Sequence, residues 1–88
     1  MARKTGARRK PMTADAMSRS IGAIWSDLLG KKMIRNHHDF FELGGDSVLA
    51  MNMLFEIEAA LGLELPPSIL FDNPTFSEFC RAAREFSP

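Results

Sequence analysis

Three short runs in this chain hold side chains that could do chemistry: Gly44-Gly45-Asp46-Ser47, His37-His38-Asp39, and the single cysteine, Cys80. A serine placed after two glycines and one acid could be a nucleophile, a phosphate cradle or a point of covalent attachment. Adjacent histidines could bind a metal, and a thiol could attack a carbonyl. Each has a plain structural rival. Ser47 could cap a helix, the histidines could sit in a solvated loop, and Cys80 could be a small packing side chain.

The spacing weakens most of the chemical readings. A hydrolase elbow needs the pattern G-x-S-x-G after a strand. The run here is Gly44-Gly45-Asp46-Ser47-Val48, and no strand pattern precedes it. A metal centre needs three or four ligands, and neither Cys80 nor the scattered carboxylates supply them, so no metal site of the protein's own is expected. Cys80 lies between Phe79 and Ala82-Ala83 in an apolar helical pattern, which predicts a buried or half-buried thiol. A bundle of 88 residues has no room beside its core for a substrate pocket of about 300–1,000 Å³, so the chain is not expected to be an enzyme. A phosphate at a helix start remains attractive, because free N–H groups and the helix dipole favour an anion. Asp46 would repel a free anion unless a cation bridges them. A serine that receives a phosphodiester suits such surroundings, with slim glycines and an acid that helps hold a divalent metal during transfer.

The elements that must position Ser47 are legible in the apolar periodicity. Thr13 is a predicted N-cap with Asp15 in the first turn, and Met17, Ile21, Ile24, Trp25 and Leu28 repeat at helical spacing up to Gly30. Gly22 within that pattern predicts a close helix contact. Residues 31–46 form a long connection whose Met33, Ile34, Phe40, Phe41 and Leu43 are expected to anchor it across the helices. A second helix is predicted from Ser47 to about Leu61, with Ala50, Leu54, Ile57 and Leu61 facing the core. Pro67 to Phe71 suits one short helical turn. Thr75 then caps a last helix through Phe76, Phe79, Ala83 and Phe86, with Glu78 completing a capping box. The expected fold class is all-α, a small four-helix bundle of three main helices and one short one.

Composition bounds the rest. Apolar residues make up 45% and charged residues 25%, as in ordinary globular proteins. No apolar run approaches the roughly 20 residues of a membrane span. With no secretory segment and one unpaired cysteine, a cytoplasmic location and no membrane partner are expected. The net charge of zero hides a split: Arg3, Lys4, Arg8, Arg9 and Lys10 form a basic start, while every acid lies beyond it. Residues 1–11 are expected to be a disordered basic leader and residues 12–86 the folded domain. The leader lacks interleaved aromatics, which gives little support to nucleic-acid binding.

Taken together, Asp39-Phe40-Phe41-Glu42-Leu43-Gly44-Gly45-Asp46-Ser47, followed by Val48-Leu49-Ala50-Met51, closely resembles the modification site of carrier proteins. The chain is most similar to the peptidyl (thiolation) carriers of nonribosomal peptide synthesis, and more distantly to acyl carriers. The resemblance continues through Gly62-Leu63-Glu64-Leu65-Pro66, Leu70-Phe71 and Asn73-Pro74-Thr75. It implies that a phosphopantetheinyl transferase attaches the 4′-phosphopantetheine arm of coenzyme A to Ser47. Gly44 and Gly45 would give that enzyme clearance, and Asp46 would help position Mg²⁺, needed only during the transfer. An adenylation enzyme or domain would load the arm, and condensation, tailoring or release enzymes would use it downstream. Partner contact is expected at Val48 and Met51, with Ile69 as a neighbour, and Phe55 is expected in the core. Acidic residues are sparse along the second helix, with only Glu56 and Glu58, which favours the peptidyl over the acyl type. The Met1 start and short tail after Phe86 fit a free-standing carrier. The alternatives are an acyl carrier of a polyketide or fatty-acid type system and, from another class, an unmodified helical interaction module with a nucleic-acid-binding basic arm.

Overall fold

The computed structural model describes residues 13–86. The basic leader of residues 1–11 lies outside the described residues, as does Met12. Four helices follow in order: α1 (Ala14–Leu29), α2 (Ser47–Leu61), α3 (Ile69–Asp72) and α4 (Phe76–Arg84). The only extended pairing among the described residues is one bridge between Asp39 and Thr75.

The starts of α1 and α4 follow the expected cap chemistry. The Thr13 hydroxyl accepts from the Ala16 amide at 3.0 Å. At α4, the Thr75 hydroxyl accepts from the Glu78 amide while the Glu78 carboxylate accepts from the Thr75 amide, each at 3.3 Å, so the capping box is complete. Gly30 and Gly62 end α1 and α2. The last helix is shorter than its apolar pattern predicts: it stops at Arg84, and Phe86 lies beyond it on the surface.

The core forms around Trp25 of α1, which is fully buried. Phe40 and Phe76 meet its ring edge-on at centroid distances of 5.1 and 5.2 Å, and Phe79 lies tilted at 5.8 Å. Such aromatic contacts add roughly 0.5–1.5 kcal/mol each beyond their burial. The Trp25 Nε1–H has no conventional acceptor among the described residues. Gly22 lets α4 approach α1: a Cβ there would sit 3.3 Å from Phe76 Cζ, the close contact expected of that glycine.

Of the predicted loop anchors, Phe40 is buried, and Ile34, Phe41 and Leu43 are half-buried. Met33 is exposed and anchors nothing. Backbone bonds complete the attachment of the loop. Phe40 N–H donates to Pro74 O at 2.9 Å, Phe76 N–H to His38 O at 2.9 Å, and Ser77 N–H to Asn36 O at 3.0 Å. The loop is thus stitched to the start of α4, and this fixes the platform from which α2 departs.

Candidate functional site

The path into α2 is set by Asp39. Its Oδ1 accepts from the amides of Phe41 at 2.8 Å and Glu42 at 3.1 Å, folding the chain into a tight turn. Backbone bonds continue that turn, from Leu43 N–H to Asp39 O and from Gly45 N–H to Phe40 O, both 3.0 Å. Phe40 points inward onto Trp25, and its ring lies directly under Gly45. A Cβ on Gly45 would fall 2.2 Å from Phe40 Cε2 and 2.7 Å from Phe40 O. Gly44 has φ +108°, a conformation that disfavours any residue with a Cβ. Both glycines therefore have an internal cause, apart from any clearance they give a partner.

Asp46, not Ser47, caps α2. Its backbone is extended, its Oδ1 accepts from the Leu49 amide at 2.8 Å, and its carbonyl accepts from Ala50 N–H at 2.8 Å. A carboxylate at the N-cap satisfies a helix donor and complements the dipole. The structural rival for Ser47, a capping serine, is thereby removed. Ser47 is the first residue of the helix and is exposed, and its hydroxyl makes no hydrogen bond among the described residues. The amides of Ser47 and Val48 lie in the first turn, where N–H groups have no partner within the helix. A phosphodiester on Ser47 would meet these donors and the positive end of a four-turn helix, so the residues present fit the phosphopantetheine arm.

The other chemical candidates resolve into structure. His38 Nδ1 accepts from the Arg35 amide at 2.9 Å, and the His37 ring packs against it at 4.7 Å. No group of three or more metal-ligating side chains occurs among the described residues. Cys80 is buried, and burial pushes its thiol above its usual range, partly offset by a hydrogen bond with Ser18 and by the charge of Arg84. A thiol held neutral in this way is poorly suited to nucleophilic work.

The surface beside Ser47 differs in two places from the sequence expectation. Val48 is 70% exposed and Met51 56% exposed, so neither belongs to the core. Ile69 is only 3% exposed and offers no contact surface; it points into the bundle, and Phe71 takes the outward position on α3 at 52%. Phe71 stacks on Phe41 at 5.3 Å, just before the glycine turn. Phe55 is the second correction. It stands 72% exposed, while Met53, absent from the expected core stripe, is fully buried. The core face of α2 is Ala50, Met53, Leu54 and Ile57, with spacings of 3, 1 and 3. That is the ordinary period of a buried helix face.

A small helical bundle that holds a serine out at the start of a helix, beside exposed Val48 and Met51, has the plan of a carrier protein. The chain belongs to the phosphopantetheine attachment site family, whose model matches residues 19–83. It is 46% identical over 61 residues to surfactin synthase subunit 3 of Bacillus subtilis (strain 168), an alignment covering 69% of this chain and 5% of that protein. The chain thus spans only a small fraction of the length of such curated relatives. Among solved structures, it resembles BlmI, a type-II acyl-carrier-protein from Streptomyces verticillus involved in bleomycin biosynthesis. That match has a TM-score of 0.77 and 29% identity, covering 82% of this chain and 87% of BlmI. It also resembles the structure of the phosphopantetheine transferase Sfp in complex with coenzyme A and a peptidyl carrier protein. There the TM-score is 0.75 with 25% identity, covering 86% of this chain and 99% of the matched one. No helix of the described residues is long and apolar enough to cross a membrane.

Proposed function

We propose that this chain carries a 4′-phosphopantetheine arm on Ser47 and moves a thioester-bound aminoacyl or peptidyl group between enzymes of a nonribosomal peptide or related pathway. The observation that carries the reading is the division of labour at the start of α2. Asp46 takes the capping role through Oδ1, and Ser47 is left exposed with its hydroxyl uncommitted. When bound, the arm supplies a terminal thiol that holds the acyl group as an activated thioester.

The protein's own residues bind and position. The first-turn amides of α2 stabilise the phosphodiester. Asp46 keeps Oδ2 available for the Mg²⁺ of the transfer, and the remaining ligands come from coenzyme phosphates and the transferase, as befits an ion that prefers one or two carboxylates with phosphates and water. Val48, Met51 and Phe71 form the apolar contact for the transferase, the adenylation enzyme and later condensation, tailoring or release enzymes. Tethering raises the effective concentration of the cargo to order mM for a short flexible link.

The test is sequential. Protein treated with coenzyme A, Mg²⁺ and a broad-specificity phosphopantetheinyl transferase is weighed intact, then offered to a panel of adenylation enzymes and to a malonyl-transferring enzyme. One added arm and loading by an adenylation enzyme support the proposal. An added arm loaded only with malonyl would move the chain to the acyl-carrier type. Removal of residues 1–10 is expected to leave the mass gain unchanged.

A further inference from the structure

The turn Arg35-Asn36-His37-His38 is closed from both directions. His38 N–H donates to Arg35 O at 3.0 Å, and Arg35 N–H donates back to His38 Nδ1 at 2.9 Å. A backbone N–H can only donate, so Nδ1 is the bare nitrogen of a neutral imidazole. An imidazolium carries a proton on both nitrogens and has no acceptor to offer. Protonation of His38 therefore removes the second bond and sets two donors against each other.

This turn sits where the long loop is fastened to α4. His38 O accepts from Phe76 N–H at 2.9 Å and Asn36 O from Ser77 N–H at 3.0 Å, so both stitches leave from its backbone. The next residue, Asp39, pairs with Thr75 and opens the tight turn toward the glycines. His38 itself is half-buried. Opening residues 35–38 would loosen the loop just before it turns into α2.

The charged groups around His38 come from three elements. On the loop they are Arg35, His37 and Asp39, and the His37 ring lies 4.7 Å from that of His38, where two imidazoliums would repel. From α4, Glu78 and Arg81 stand in the first two turns. From α1, Asp15 and Arg19 line the groove shared with Ile34 and Phe76. The carboxylates closest along the stitch already have donors: Asp39 Oδ1 has the Phe41 and Glu42 amides, and Glu78 Oε1 has that of Thr75.

We propose that His38 makes the loop a pH-sensitive clasp. Neutral, it holds residues 35–38 closed against the start of α4; protonated, it lets them open. Histidine is the side chain whose ordinary titration falls between roughly pH 5 and 8, so the clasp responds within that range. The device is independent of the carrier reading, since neither bond involves Ser47 or an arm.

The test is amide hydrogen exchange on the whole ¹⁵N-labelled chain at about pH 7.5 and about pH 5.5, with each rate divided by the unstructured rate at that pH. Losing one ordinary hydrogen bond shifts a local opening equilibrium about fivefold, so protection at Phe76 and Ser77 should fall about threefold or more at the lower pH, relative to Met53 and Ile57 of α2. His38→Asn keeps an acceptor at the same reach and does not titrate, so its protection should hold at both pH values. His37→Asn should still show the fall. The Arg35 amide proton gives a reading that needs no variant: it should move upfield as pH drops, with the same midpoint as the His38 ring protons. Four results would overturn the proposal: wild-type protection equal at both pH values, an equal fall in His38→Asn, loss of the fall in His37→Asn, or an Arg35 amide that does not follow the His38 ring.

Discussion

Asp46 and Gly45 show how much of the site is decided by single atoms. One carboxylate oxygen of Asp46 holds the helix start, and the other is proposed to serve the metal of the transfer. The two roles separate by substitution. Asp46→Asn keeps a good cap, so urea unfolding is expected to change by only a few tenths of a kcal/mol, whereas Asp46→Ala should lose about 1 kcal/mol. Both variants should slow arm transfer, and equal transfer rates for Asn and wild type would leave Asp46 a cap alone. Gly45→Ala tests the close approach to Phe40. Its methyl must displace a ring held beneath Trp25, so a loss of about 1–3 kcal/mol is expected in the same unfolding assay. These residue-level facts were only partly visible in the sequence. The order Gly-Gly-Asp-Ser pointed to the right place, but spacing cannot say which of two neighbouring cap formers takes the cap. Nor could it show that Gly45 rests on an aromatic five residues earlier.

At the scale of elements, α2 does two jobs on different faces. Ala50, Met53, Leu54 and Ile57 seal the bundle, and Val48, Met51 and Phe55 stay in water. Helical period alone locates both faces only when the phase is right. The expected stripe through Leu61 missed Met53 and placed Phe55 inside, because a helix this apolar all round gives a weak contrast between its sides. The short α3 misled for another reason: over four residues no period can be established, and Ile69, expected as a contact, is buried while Phe71 stands exposed. The caps of α1 and α4, Thr13 and Thr75, were legible, since they depend on local chemistry. Met51→Glu should therefore change the unfolding free energy by less than about 0.5 kcal/mol, as surface substitutions do. Its effect belongs in the kinetics of transfer and loading, where KM for the carrier should rise; an unchanged KM would remove Met51 from the contact surface. Thr75→Ala should cost about 1 kcal/mol by opening the capping box, without touching the arm.

Across the whole molecule, the bundle keeps its one native thiol inside while the arm would place another outside. Cys80 is buried between α1 and α4, and its raised pKa carries a definite sign. The unfolded chain gives up this proton at lower pH than the folded one. The contribution of the neutral thiol to stability is thus complete below the ordinary thiol range and declines as pH rises through the folded value. Stability measured by urea unfolding should fall on the alkaline side, and Cys80→Ala should flatten that fall. Native protein without the arm is expected to show no fast-reacting thiol toward an aromatic disulfide reagent, and arm-bearing protein one. The four-helix plan was legible because it follows from capping and periodicity. The stitching of the long loop to α4 was not, because its backbone bonds depend on where Pro74 and His38 meet in space.

Ser47 is proposed as the residue that carries the arm, and intact mass reads this directly. Wild type and Ser47→Ala, both shown to be folded by circular dichroism, are incubated with coenzyme A, Mg²⁺ and a phosphopantetheinyl transferase. Each is then weighed intact and after proteolysis. One phosphopantetheine is expected on wild type, confined to the peptide bearing Ser47, and none on Ser47→Ala. A folded wild type that gains no mass, or an arm that persists on Ser47→Ala, would contradict it.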